Sequence, residues 1–398
     1  MINFENDSFI TFRSGNVFKG LLFYYPNIAD NVTPTTKPFT LTWKKGLIHA
    51  IYGVKFQSLY FMNSWGCVEC NTGHGDFIFN DIVGAPARYG IHLDWSGGTD
   101  IFTDIRMSYF YFTTVSTAYA LFMQSNCEGI WLGYSDAFHC KALYFGNLNA
   151  GITFNESQVY TNGLAYGSIY GLSIDGCNYG IYSNGTHPIG VVVTDMTANG
   201  VMYAIMCAGQ KASYFRLANC NFWAHARIRL QKASELTITG CTFNNDVGEN
   251  AIDITDSGAK LIVTGCKFGN GVVPIRNLPA SGTNTIIAKG NLSDTYPTTN
   301  LQTVGELYND NHWSSGSRDI GNATAISLAG ENILLFNQAN AITISEASGY
   351  AYPSGSEITI FNYGNASGSI TVNGVTKTIA AKTCAKICKY ASVWYVME

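Results

Sequence analysis

The chain has 398 residues, of which only 13% are charged and 14% aromatic, with 41 Gly and a formal net charge of −4. That balance, with no basic run, excludes nucleic acid and an anionic membrane surface as expected partners, and the absence of an apolar stretch of about 18 residues excludes membrane insertion by a helix. The first residues, Met1-Ile-Asn-Phe-Glu-Asn-Asp7, lack the basic region and apolar core of a secretory leader.

The amino-terminal segments Phe9-Ile-Thr-Phe12 and Val17 to Tyr25 read as buried strands with nothing in front of them, the expectation for a piece cut from a longer protein. Pro26 to Pro38 is polar and Pro-containing, which predicts a loop. From Ile51 to about Asn291 a strand cassette recurs. Its clear copies begin at Ile181, Ile205, Ile228, Ile252 and Ile275, in steps of 24, 23, 24 and 23 residues. Such a period marks a solenoid in which each repeat is one coil. Weaker copies are placed at Ile91, Leu121 and Leu143, with an insertion before Ile181.

A second strand follows each clear cassette: Tyr214 to Phe222, Leu236 to Phe243 and Leu261 to Phe268. Alternation along these strands sends one set of side chains into the coil and the other out. Residues 296–320 have linker composition. Beyond them, short strands at Ala325 to Leu328, Asn332 to Phe336, Ala341 to Ile344, Glu357 to Phe361, Ser369 to Val372 and Val393 to Met397 predict a small antiparallel sandwich or barrel. The expected organisation is a right-handed parallel β-helix over 1–295, a linker over 296–320 and a carboxy-terminal β-domain over 321–398, which trimerises, caps the last coil or binds carbohydrate. So low a charge content predicts lateral surface hidden against copies of the chain.

Eleven cysteines are present, and Cys220, Cys241 and Cys266 occupy one slot in successive coils. That ladder reads as small buried hydrophobes, and Cys67–Cys70 and Cys384–Cys388 lack a second pair or a His at ligand spacing. Structural thiols, a reducing folding compartment, no metal and no cofactor are expected.

The segments Asn16 to Pro26 and Tyr89 to Asp100, with the Thr-Gly-Cys-x-Phe coils, resemble the pectate-lyase-like β-helices of bacteriophage tailspikes. The tail, with Ile370-Thr-Val-Asn-Gly374 and Val393 to Met397, resembles the small β-domains that end phage fibres and spikes. The resemblance implies a homotrimer on the virion tail, attached to the rest of the phage tail and folded in the host cytoplasm. It also implies binding, and usually cleavage, of a bacterial surface polysaccharide such as capsule, exopolysaccharide or O-antigen. Gly73-His74-Gly75 and Arg227-Ile228-Arg229 look like two of the four polygalacturonase motifs, but the carboxylate motifs are missing, so the match reads as coincidence.

Glycoside hydrolysis needs two carboxyls flanking the bond. The candidates are Asp94, read as outward-facing, Asp100, Glu128, Asp136, Glu156 and Asp175, with Asp104 nearby. Turn and cap roles are the alternative for each. For substrate binding, Phe122, Tyr144 and Tyr182 read as one outward slot and Trp131 as outward on its coil's second strand. These aromatics serve either sugar stacking or contact between chains. Arg229, Asp253 and Arg276 read as an ion-pair ladder, or the two Arg as ligands for an acidic polymer. A lyase would draw its base from His92, Tyr134 or His139, with Arg106 available. A non-catalytic receptor-binding spike and a secreted cellular lyase on the same fold are the other readings.

Overall fold

The computed structural model describes residues 2–3, 10–25, 39–43, 50–111, 116–155, 165–185, 189–209, 213–231, 234–269, 271–277, 284–293, 357–362, 365–390 and 393–397. It also describes backbone strands within 312–346. Pro26 to Pro38 and Glu156 lie outside the described residues. Two compact units divide at Thr237/Ile238.

The first unit is a parallel β-helix. One column of strands runs Phe39–Trp43, Gly66–Gly75, Tyr89–Ser108, Glu128–Gly146, Ala150–Phe154, Tyr179–Ser183, Tyr203–Cys207 and Arg227–Leu230, each hydrogen-bonded in parallel to the next. A second column runs from Val17–Tyr24 through Lys55–Met62 and Ile78–Ala85 to Ala165–Asp175, Ile189–Thr194 and Ser213–Ala218. Apolar side chains of both columns fill the coil. Phe56, Phe79 and Phe102 stack at centroid spacings of 4.7 and 5.1 Å, the spacing of adjacent strands.

The coil turns a corner where Asp81, Asp104, Asp195 and Asn219 adopt left-handed backbone, with φ between 52° and 57°. Asp and Asn tolerate that conformation better than other residues with a Cβ. Asp104 therefore has a turn-forming role.

Two expectations for the early coils are corrected. Leu121 does not begin a strand but lies in the helix Thr117–Asn126. Its Ala, Leu, Met and Gln content favours helix, and Ser116 caps it by accepting from the Tyr119 N–H at 3.2 Å. The true copies in this region are Ile130 and Ile152, which align with Ile91 and Ile181. Leu143 belongs to the second column, opposite Leu172.

In the second unit, Asn250–Ile254 pairs in parallel with Val273–Asn277, and Lys260–Thr264 with Thr285–Lys289. His312–Trp313 and Ser317–Gly321, within the expected linker, are strands. The carboxy-terminal strands form two small sheets, one of five strands and one of four. They are not purely antiparallel. Ser317–Gly321, Ile333–Phe336 and Glu357–Asn362 pair in parallel, as do Ala325–Leu328, Ala341–Glu346 and Gly368–Val372. Among the described residues, antiparallel pairing enters with Val375–Ile379 against Gly368–Val372, Cys384–Tyr390 against Glu357–Asn362, and Val393–Val396 against Cys384–Tyr390. Successive strands alternate between the two sheets, so the chain returns to each in the same direction until tight turns, such as that at Asn373-Gly374, reverse it. Leu334, Ile342, Ile358, Ile360, Ile370 and Ile387 form the core between them.

Candidate functional site

Four coils of the first unit carry an x-Gly-Ile-x pattern: Tyr89-Gly-Ile-His92, Glu128-Gly-Ile-Trp131, Ala150-Gly-Ile-Thr153 and Tyr179-Gly-Ile-Tyr182. The Ile is fully buried in the coil. The Gly sits at a close approach: a Cβ at Gly90 would lie 2.1 Å from Met107 Sδ, and one at Gly129 2.4 Å from the Phe145 ring. The ladder skips this Gly. The residues flanking Gly-Ile, three apart, would face opposite sides of a flat strand, yet here they meet on the outside. Tyr89 stacks on His92 at 5.0 Å and Tyr179 on Tyr182 at 4.7 Å.

Two facing rows result. One runs Phe39, Tyr89, Glu128, Ala150, Tyr179, Tyr203 and Arg227, with Gly66 between Phe39 and Tyr89. The other runs Thr42, Glu69, His92, Trp131, Thr153, Tyr182, Met206 and Arg229. Together they form an external strip along the coils, a groove closed at its middle, where Trp131, Ala150 and Thr153 are at most 5% exposed.

At one end of this groove lies an acidic and aromatic cluster. Thr42 donates to Glu69 Oε2 at 3.1 Å, and Glu69 Oε1 lies 3.8 Å from His92 Nδ1, an electrostatic contact rather than a hydrogen bond. His92 meets Trp131 edge-on at 4.2 Å. Arg88 lies over the Tyr89 ring at 4.5 Å, donates to the Asn126 carbonyl and reaches Glu128 Oε1 at 3.3 Å. The other oxygen, Glu128 Oε2, is buried without a hydrogen-bond partner.

Burial pushes the Glu128 carboxyl above its usual range, against the opposing pull of Arg88 and His92. Burial also raises the Tyr89 hydroxyl, with Arg88 opposing, and the charges of both Glu128 and Glu69 add to the rise. The two carboxyls therefore act on the same space. Burial, Tyr179 and Glu128 raise Tyr182 in the same way.

The helix Thr117–Asn126 stands beside the groove. Tyr119 donates to the Ala85 carbonyl at 2.7 Å, and the Gln124 carbonyl accepts from the Asn178 amide at 3.0 Å. Farther along, Arg229 lies over the Tyr203 ring at 4.4 Å and Arg227 at 5.4 Å.

Of the carboxyl candidates among the described residues, Glu128 alone lies in this groove. Asp94 is 1% exposed, not outward, because the coil turns after Leu93. Asp100 is fully buried; it accepts from the Phe77 N–H at 3.0 Å and sits 3.3 Å from His74 Nε2. Asp136 accepts from Tyr134, two residues before it. Asp175 is exposed and accepts from Asn199 at 3.3 Å.

Among the aromatics, Trp131 and Tyr182 share a row with only Thr153 between them. This places Trp131 on the first strand of its coil, not the second. Tyr144 faces elsewhere, in register with Arg106 and Ser173, and meets Tyr111 at 6.1 Å. Phe122 is on the helix, against Trp65 at 5.8 Å. Phe122 and Tyr144 therefore do not share the slot of Tyr182, since neither Leu121 nor Leu143 begins a cassette.

Arg106 pairs with Asp81 at 2.9 Å and Asp104 at 3.1 Å, and His139 meets Ser168 at 2.8 Å. In the second unit, Arg276 grips the fully buried Asp253 through two 2.8 Å hydrogen bonds, which is ion-pair bonding within that unit. Glu69 and Arg88 were missed. The Gly-Ile pattern was the signal that could have found the rows beside them.

Among the described residues, no group of three or more His, Cys, Asp or Glu converges as metal ligands would. No family model and no curated protein matches the chain. Among solved structures it is similar to PfbA, a surface adhesin of Streptococcus pneumoniae, with 9% identity, a TM-score of 0.25, and coverage of 100% of this chain and 89% of that one.

Proposed function

We propose that the protein is a polysaccharide depolymerase of the phage tailspike type, which binds a bacterial surface glycan along the groove and hydrolyses it at Glu128 and Glu69. The observation that carries this reading is Glu128: a carboxyl raised by burial, with one oxygen unpartnered, in an aromatic-lined groove that holds a second carboxyl. A raised carboxyl keeps its proton nearer neutral pH, as a general acid must. Glu128 protonates the glycosidic oxygen, and Glu69 activates water from the other side of the Tyr89–His92 pair. The two residues sit two coil steps apart, roughly 9.6 Å along the axis, and in opposite rows. That separation suits inversion, which needs about 6.5–9.5 Å between carboxyls, better than retention at about 5–5.5 Å. Trp131, Tyr179 and Tyr182 supply flat faces for sugar rings.

On this reading the chain acts as a homotrimer on the virion tail, outside the host cell. The test is incubation with capsular and lipopolysaccharide preparations from a panel of bacteria, following polymer size, reducing ends and the ultraviolet absorbance of unsaturated sugars. Shortened chains with new reducing ends and no new absorbance support hydrolysis. Rising absorbance would mean a lyase. Binding without shortening would mean a receptor-binding spike, whose platform would be the tyrosines and the Arg227–Arg229 end of the groove.

A further inference from the structure

One coil of the groove differs from its neighbours. At Ala150 and Thr153 both rows carry small side chains, between Glu128 and Trp131 on one side and Tyr179 and Tyr182 on the other. Thr153 is 1% exposed, and its hydroxyl has no hydrogen-bond partner. One coil away, Glu128 Oε2 is likewise buried and without a partner.

A buried hydroxyl without a partner costs free energy, and Val, the same shape without the oxygen, would fill a β-strand position at no such cost. Two unpartnered oxygens on adjacent coils, flanked in register by aromatic side chains, point to an outside group that completes both.

We infer that Thr153 is a specificity-determining residue of the groove, reading one ring hydroxyl of the sugar whose glycosidic oxygen faces Glu128. This rests on the polysaccharide reading above. Ala150 is fully buried as well, so the ring reaches Thr153 by displacing the side chains over it, with Trp131 and Tyr182 to either side in register. Admission requires the rim to give, and the half-buried Tyr182 borders Thr153 in register. A sugar hydroxyl both donates and accepts, so it satisfies Thr153 Oγ1 in either sense. A polymer deoxygenated or acylated at that position is a poor substrate, because Thr153 is then left unpaired or blocked.

The test compares wild type, Thr153→Val and Thr153→Ser on the polymer that the wild type shortens, together with their melting temperatures. Thr153→Val is expected to melt a few degrees higher and to lose about tenfold or more in kcat/KM, while Thr153→Ser recovers most of the activity. A higher melting temperature with unchanged kcat/KM would overturn the inference and leave the depolymerase reading standing. An unchanged or lower melting temperature would also overturn it, since the hydroxyl would then be satisfied within the protein. A wild type that neither binds nor shortens any polymer of the panel would remove the parent reading and this one with it.

Discussion

Replacing Asp100 with Ala should destabilise the first unit by about 3–5 kcal/mol, the range for removing one partner of a buried ion pair. The carboxylate is fully buried, accepts the Phe77 N–H at 3.0 Å and faces His74 at 3.3 Å, while His74 Nδ1 lies 3.0 Å from the Thr72 carbonyl. A carbonyl only accepts, so Nδ1 carries a proton. A second proton on Nε2 faces Asp100. Burial, the largest influence on His74, lowers its pKa, but Asp100 and Cys70 together outweigh it and hold the imidazole well above its usual value. A folded pKa raised above the unfolded one gives stability that is fully present below about 6.5 and lost as pH rises through the folded value. The deficit of Asp100→Ala should therefore be largest near pH 6 and shrink at alkaline pH.

Urea unfolding at several pH values reads this directly, with a midpoint lowered by about 1 M or more near pH 6. Asp100→Asn keeps an acceptor for Phe77 and isolates the charge term. A pH-independent deficit, or Asp100→Ala as stable as wild type, would refute the buried-pair reasoning. Lost cleavage in a variant of undiminished stability would return Asp100 to the list of catalytic groups.

Glu128→Gln should lower kcat on the cleaved polymer by at least about 10²-fold while retaining binding, measured by reducing-end release and polymer-binding titration. Because the Glu128 pKa is raised, its contribution to stability is present below the usual carboxyl range and falls as pH rises through the folded value. Cleavage should fall over the same rise, and melting curves of Glu128→Gln should lack that pH dependence. Gly129→Ala should lose several kcal/mol of stability, since its Cβ would meet the Phe145 ring at 2.4 Å and the Gly151 carbonyl at 2.6 Å; thermal melting checks it. Native thiol titration should count about two of the 11 cysteines, Cys384 and Cys388, because the other nine are buried, with thiols such as Cys67, Cys207 and Cys140 pushed up by burial.

The coils from Ile181 onward were legible in the sequence because their period holds at 23 or 24 residues. Earlier coils were not, since the helix Thr117–Asn126 stretches the step from Ile91 to Ile130 to 39 residues and that from Ile152 to Ile181 is 29. A one-strand error there moves every outward aromatic to the wrong row, as happened to Phe122 and Tyr144. Residue type alone does not separate Glu128 in the groove from Asp100 in the core or Asp104 at a corner. Glu69 is not legible in the sequence because its copy, Gly66-Cys-Val-Glu69, lacks the Gly-Ile pair of its neighbours. In the carboxy-terminal sheets, strand positions followed from alternation, but strand direction depends on the path between sheets, which alternation does not carry.

The most direct test of the groove is a crystal structure of Glu128→Gln soaked with oligosaccharides released by the wild-type protein. Sugar rings along the two rows, with one over Ala150 and a glycosidic oxygen at residue 128, are the expected result. Rings bound only elsewhere, for instance on the Tyr111–Tyr144 face, would contradict it.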